Sequence, residues 1–193
     1  MSRLQEHTTP DLPPPQAQQP ARRATRASLV AIRCIAAALV VCGASGALAG
    51  DRQVSVSEQV DVAASPTHTW DAIKDFDGWQ TWHPAFARTE ITQGVGNAHG
   101  TVRVLTANDG ARFTEELVTY NPTSRLVRYR IIDSPAPITE YVSTLQVKPH
   151  KDGSTVVWSS HFKVNEGTTD ADAKKAIAGI YRMGLDHLAV VLN

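Results

Sequence analysis

The residue with the clearest capacity for chemistry is Glu115, placed between Phe113 and Leu117 in RFTEELVTY. In an extended segment these odd positions share one face, so the carboxylate stands on the apolar side. A carboxylate buried there must be paired, hydrogen-bonded or protonated. It is therefore a candidate ligand contact or a general acid/base, or half of an ion pair with a basic residue such as Arg88. Phase gives further candidates. Val127, Tyr129, Ile131 and Asp133 share a face of LVRYRIID, which turns Arg128 and Arg130 outward. Tyr141 and Ser143 face inward on the next strand, and Val156, Trp158, Ser160 and Phe162 on the last, so His161 points to solvent. Tyrosine hydroxyls there are donors or acceptors for a ligand or are packed into the wall. Trp82 and His83 precede Pro84 at the edge of the same face, with His83 read foremost as a structural histidine. Arg88 is ambiguous: the period admits an inward cation beside Glu115 and favours a surface arginine.

Other signals are absent. The sequence has no H-E-x-x-H, G-x-S-x-G, P-loop or G-x-G-x-x-G pattern. Gly94-Val95-Gly96 is followed by Asn97-Ala98-His99-Gly100 and then by no helical pattern, so it is a turn and not a nucleotide loop. The expectation is no metal and no cofactor. Equal numbers of basic and acidic residues, 19 of each, argue against a nucleic-acid partner.

The elements that must position these groups begin after residue 49. Arg22, Arg23, Arg26 and Arg33 lead into CIAAALVVCGASGALA, 16 apolar or small residues from Cys34 to Ala49. That is short of the roughly 20 residues a membrane span needs. With Ala47-Leu48-Ala49 at its end, it reads as a signal peptide behind a polar extension. Cleavage there leaves Gly50–Asn193, free of cysteine, with no membrane span. Its 14 basic and 17 acidic residues give a charge of −3. The expected location is periplasmic or secreted.

Within 50–193 the valines of VSVSEQVDV alternate as in a half-buried strand. Ser65-Pro66 opens a helix carrying Trp70, Ile73 and Phe76, ended by Gly78. A second short helix precedes Pro84. Strands are predicted near 88–93, 100–106, 112–120, 126–133, 139–148 and 155–164, with Asp109-Gly110 and Asp152-Gly153 as hairpin turns. Thr169, Asp170 and Asp172 open a final long helix. Its apolar face holds Ala173, Ile177, Ile180, Tyr181, Gly184, Leu185, Leu188 and Leu192. The fold class is α+β: a seven-stranded antiparallel sheet covered by that helix, with two short helices after the first strand.

This order, together with Ala64-Ser65-Pro66 before Trp70, Trp82-His83-Pro84, SPAP before YVSTL and GSTVVW, resembles the helix-grip fold of the Bet v 1/START-like superfamily, which includes polyketide cyclases. The segments DFDGWQTWHPAF, IIDSPAPITEYVSTLQV and DADAKKAIAGIYRMGLDHL resemble exported bacterial members of the MxaD type, in the branch shared with plant abscisic-acid receptors. The receptors' gate and latch signatures are missing, so hormone recognition is not carried over. The resemblance implies a central apolar cavity lined by Glu115, Tyr129, Tyr141, Trp158, Arg88, Trp82, His83, Tyr181 and Leu185. It implies a small apolar or amphipathic ligand, and a periplasmic redox enzyme such as methanol dehydrogenase as a second partner. The other activity it admits is that of a cyclase or dehydratase on an aromatic polyketide-like substrate, with Glu115, Tyr129 and His83 as acid–base groups.

Overall fold

A computed structural model describes residues 53–193. The predicted signal peptide and cleavage site, with Cys34 and Cys42, lie outside the described residues. Strand β1 (Val54–Val62) runs as the valine alternation predicts, with Val54, Val56 and Val62 buried. Helix α1 (Pro66–Ile73) starts at Ser65, whose Oγ accepts the His68 N–H at 3.3 Å, with Pro66 in the first turn. The helix stops earlier than predicted. Phe76 lies beyond it in a connecting loop and is nonetheless fully buried. The expected second helix is a single 3₁₀ turn, Trp79–Thr81.

Strands β2 (Phe86–Gln93), β3 (Val102–Ala107), β4 (Arg112–Asn121), β5 (Leu126–Asp133), β6 (Ile138–His150) and β7 (Gly153–Val164) follow, then helix α2 (Asp170–Val191). All pairings are antiparallel and the spatial order is β1-β7-β6-β5-β4-β3-β2. Helix α2 is capped by Thr169, whose Oγ1 accepts the Asp172 N–H, and it lies across β1 and β7. Its buried residues Ala173, Tyr181, Gly184, Leu185 and Leu188 recur on one stripe.

Two turns differ from their predicted form, and both differences have a physical reason. The β3–β4 connection is a three-residue loop, Asn108–Gly110, because Ala107 pairs with Ala111 and Gly110 takes a left-handed φ of 89°. Between β6 and β7 the two turn residues are Lys151 and Asp152, and Gly153 already belongs to the strand. Gly153 is required there for space: a Cβ would stand 2.2 Å from the Val62 carbonyl oxygen.

Bulges set the phase of the inward faces. One inserts Ile132 in β5 and leaves Asp133 exposed rather than inward as predicted, and two others bear on the site. In β2 the register shifts between Phe86 and Arg88, which inserts Ala87. In β6 it shifts between Thr139 and Val142, where Glu140 adopts a φ of 51°. Each extra residue exchanges odd for even positions on the buried side. In β6 this takes the buried face from Ile138 to Tyr141, Ser143, Leu145 and Val147.

The core between α2 and the sheet includes Trp79, Trp158, Tyr129, Tyr181, Phe76, Phe162 and Leu185, all under 3% exposed. Trp158→Ala is expected to destabilise by about 3–5 kcal/mol and Leu185→Ala by about 2–5 kcal/mol. Urea unfolding of the purified domain measures both, and losses within about 0.5 kcal/mol would place these side chains at the surface.

Candidate ligand-binding site

Arg103 was not among the predicted site residues, yet the inward face is organised around it. It is fully buried in β3, directly opposite Glu115 of β4. Its Nε and Nη2 donate to Glu115 Oε2 at 2.8 and 2.6 Å, and Nη1 donates to the Phe76 carbonyl at 2.6 Å. The guanidinium carbon lies 4.0 Å from the Phe76 ring centroid, 3.8 Å from that of Trp79 and 5.2 Å from that of Tyr129. Cation–π attraction thus replaces part of the lost hydration. Burial pushes the Glu115 carboxyl above its ordinary value, and the facing Arg103 charge and its hydrogen bonds pull it back. Glu115 is inward as predicted, but Arg103 already holds it.

The basic partner suggested for Glu115 was Arg88, and the structure corrects this. Arg88 is exposed and pairs with Glu90 of its own strand. The Ala87 bulge is the cause: Phe86 packs on the core, and the extra residue then turns Arg88 out and Thr89 toward the interior.

The remaining predicted residues come together. Trp158 stacks on Tyr181 at 4.2 Å between centroids, and its indole Nε1 donates to Ser143 Oγ at 2.9 Å and to Tyr129 Oη at 3.1 Å. Ser143 Oγ donates to the Ser159 carbonyl at 3.0 Å. With its one proton spent there, Ser143 accepts from Tyr181 at 3.2 Å, and Tyr181 in turn accepts from Tyr141 at 2.5 Å. The chain therefore has one direction: Tyr141 to Tyr181 to Ser143 to Ser159. Burial raises Tyr129, Tyr141 and Tyr181 well above the usual phenol range, so each is a neutral hydroxyl at physiological pH. Leu185 is fully buried among them. Trp82 packs against Trp79 at 5.2 Å and Trp158 at 5.8 Å.

His83 joins the loop to the long helix. Its Nδ1 accepts the Ala85 N–H at 3.2 Å, so the proton sits on Nε2, which donates to the Ile180 carbonyl at 3.1 Å. His187 Nδ1 donates to the Trp82 carbonyl at 2.8 Å. The approach is close enough to require glycine on the helix, since a Cβ at Gly184 would lie 2.5 Å from His83 Cδ2. Burial lowers the His83 pKa to about 4, outweighing the hydrogen bonds that favour the charged ring.

Partly buried apolar side chains gather where β2, β4 and β6 begin and β3, β5 and β7 end. They include Phe86, Phe113, Ile131, Ala136, Val164 and, on the first half of α2, Ile177. On the opposite face of the sheet an open depression of about 370 Å³ is lined by Ser55, Ser57, Val142, Thr144, Ser159 and His161, and the inward-facing residues Val56 and Ser160 also border it. His161 is thus on the outer face, as predicted. Among the described residues no group of three or more His, Cys, Asp or Glu is arranged to hold a metal ion. No helix among them is long and apolar enough to cross a membrane.

Glu115→Gln leaves a fully buried arginine without its counter-charge and is expected to cost about 3–5 kcal/mol, whereas Arg103→Met with Glu115→Leu recovers most of that loss. Denaturant melts of the single and double variants compare them; equal losses would show that the pair is not coupled. For His83 the sign follows from a folded pKa of about 4 against 6.5 unfolded. The unfolded chain binds the proton first, so the histidine's contribution is complete above pH 6.5 and is lost as pH falls toward 4. Between these limits stability should drop by about 1.4 kcal/mol per pH unit. His83→Gln should flatten the curve between pH 6.5 and 5, and an unchanged slope would show that this ring does not set it.

Comparison with known proteins agrees with this architecture. Residues 53–193 match the family model described as polyketide cyclase / dehydrase and lipid transport. The protein XoxI from Bacillus cereus is similar in structure, with a TM-score of 0.67 and 31% identity over 72% of this chain and 95% of its own. An uncharacterized protein from Bacillus thuringiensis has a TM-score of 0.67 and 30% identity over 72% of this chain and 98% of its own. Ara h 8.0201 shares the fold, with a TM-score of 0.62 and 16% identity over 73% of this chain and 98% of its own. A search of curated proteins finds no match. With its sheet order, gripping helix and family match in agreement, the chain has the Bet v 1-like helix-grip fold and belongs to the polyketide cyclase / dehydrase and lipid transport family.

Proposed function

We propose that the protein binds a small apolar or amphipathic molecule between α2 and the inward face of the sheet, without catalysing a reaction on it. One observation carries the reading: the buried carboxylate and histidine suited to acid–base work are already committed to the fold. Glu115 is held by Arg103, both nitrogens of His83 are bonded to backbone, and the tyrosines Tyr141 and Tyr181 belong to a neutral directed chain. A general base works best when no cation faces it and no backbone bond holds it; Glu115 faces Arg103, and His83 is bonded through both ring nitrogens. Binding, in contrast, needs apolar area and a way in. The aromatic interior supplies the first. The half-buried apolar side chains around Phe86, Phe113 and Ile177 are the proposed entrance, because they pack against the core while still partly in water. The family's description, which joins lipid transport to cyclase and dehydrase activity, is compatible with such a site.

The protein is proposed to work after export, on the strength of the basic and apolar segments before residue 50. The segments that resemble the MxaD type support an accessory role beside a periplasmic oxidation enzyme such as methanol dehydrogenase. Full-length protein expressed with its leader should be recovered outside the cytoplasm with its N-terminus at or near Gly50. Native mass spectrometry should then show an added small-molecule mass that organic extraction removes. An intact N-terminus would overturn the export reading, and protein that never carries or takes up an apolar molecule would overturn the binding reading.

A further inference from the structure

Among the described residues the only charged side chains classed as buried are Arg103 and Glu115, and they neutralise one another. Arg103 spends Nε, Nη1 and Nη2 on Glu115 and Phe76, and aromatic rings lie against its guanidinium. Among the buried side chains of the described residues no cation is left to receive an anionic group. The buried side-chain polar atoms without a partner are all uncharged: Trp82 Nε1, Thr89 Oγ1 and Ser160 Oγ. Trp82 is 4% exposed and Ser160 is 6% exposed. Ser160 Oγ lies close enough to the Tyr181 hydroxyl to hold the Tyr181 pKa down somewhat, yet it makes no hydrogen bond of normal distance and angle, and the Tyr181 proton is directed at Ser143. An unpaired buried donor or hydroxyl destabilises the fold, and a ligand that pairs it removes that loss. Two of these stand in the same aromatic interior: Trp82 packs against Trp158, and Ser160 is the next inward residue after Trp158 on β7.

Resting on the binding reading above, we infer that the site selects a neutral ligand carrying a hydrogen-bond acceptor, such as a ketone, ester or ether on an apolar frame. Trp82 Nε1–H and the Ser160 hydroxyl are its specificity-determining contacts, and the site discriminates against carboxylates. Trp82 supplies a donor only, which fixes an acceptor on the ligand; Ser160 either donates or accepts. A carboxylate entering the interior would lose its hydration with no free cation to offset the loss.

Three probes of one frame test this by titration calorimetry at pH 7.5: 2-acetonaphthone, 2-naphthoate and naphthalene. The ketone should bind at least about tenfold more tightly than the carboxylate, and about five- to tenfold more tightly than the hydrocarbon. Ser160→Ala and Trp82→Phe should each remove most of the ketone's advantage over naphthalene. Ser160→Ala should also keep or raise the melting temperature of the unliganded protein, since it removes an unpaired buried group. A structural hydroxyl would show the reverse, a lower melting temperature with unchanged probe preference, and that result overturns the inference. So does naphthoate binding as tightly as the ketone. If none of the three binds at concentrations up to its solubility limit, the binding reading itself falls and takes this inference with it.

Discussion

The buried pair of Arg103 and Glu115 constrains most of what surrounds it. Bringing a guanidinium and a carboxylate out of water costs several kcal/mol per ion, and the cost is offset only with close geometry and further hydrogen bonds. Each of those requirements fixes an element. Glu115 must lie directly across from Arg103, which sets the β3–β4 register. The Phe76 carbonyl must reach Nη1, which anchors the loop after α1 to the middle of the sheet. Phe76 and Trp79 must lie against the guanidinium, which brings the 3₁₀ turn down onto the aromatic layer. From Trp79 the contacts run to Trp82, Tyr129 and Trp158. The pair thus acts less as a source of stability than as a determinant of which packing is permitted.

A second constraint joins that layer to the long helix. Gly184 lets the His83 ring approach the helix, His83 bonds the Ile180 carbonyl, and His187 bonds the Trp82 carbonyl. Two histidines at opposite ends of the contact hold the loop that carries Trp82. Trp82 keeps its indole N–H unpaired within this contact, although a tryptophan free to rotate would turn that donor toward an acceptor or water. Its ring position is set by the carbonyl and glycine contacts of its neighbours, and the orphan donor is a consequence.

The fold was legible because its signals are local and repeated. The valines of β1, the Ser65-Pro66 cap, the alternation through β4 to β7 and the apolar stripe of α2 each point to the element that forms. Inward faces were legible wherever a strand is regular, which is why Glu115, Tyr129 and Trp158 lie where the period puts them. The failures occur where one residue is inserted. Ala87 inverts the phase of β2 and turns Arg88 out; nothing in FARTEITQ marks the bulge, because no glycine is needed there. Arg103 was missed for a related reason. A two-residue turn at Asp109-Gly110 would set Glu115 opposite Val104, whereas the three-residue loop with Gly110 left-handed sets it opposite Arg103. The usable signal was an arginine flanked by Thr101, Val102, Val104 and Leu105, in a stretch otherwise suited to full burial.

How a well-packed interior admits a ligand depends on which contacts must be broken. The groups around Arg103 are bound by charge, and removing any one leaves an ion without its partner, so that part of the interior should stay assembled. The tyrosine chain is neutral but directed, and it ends on a backbone carbonyl of β7. At the end bordered by Phe86, Phe113 and Ile177, contact is between apolar side chains already partly in water. Parting them exposes little additional area, at roughly 25 cal/mol per Å². A ligand entering there replaces one apolar contact with another and need not disturb either polar network. What it adds is a partner for donors the folded chain leaves unpaired. That gain belongs to the bound state alone, and so it can decide which molecule the interior accepts.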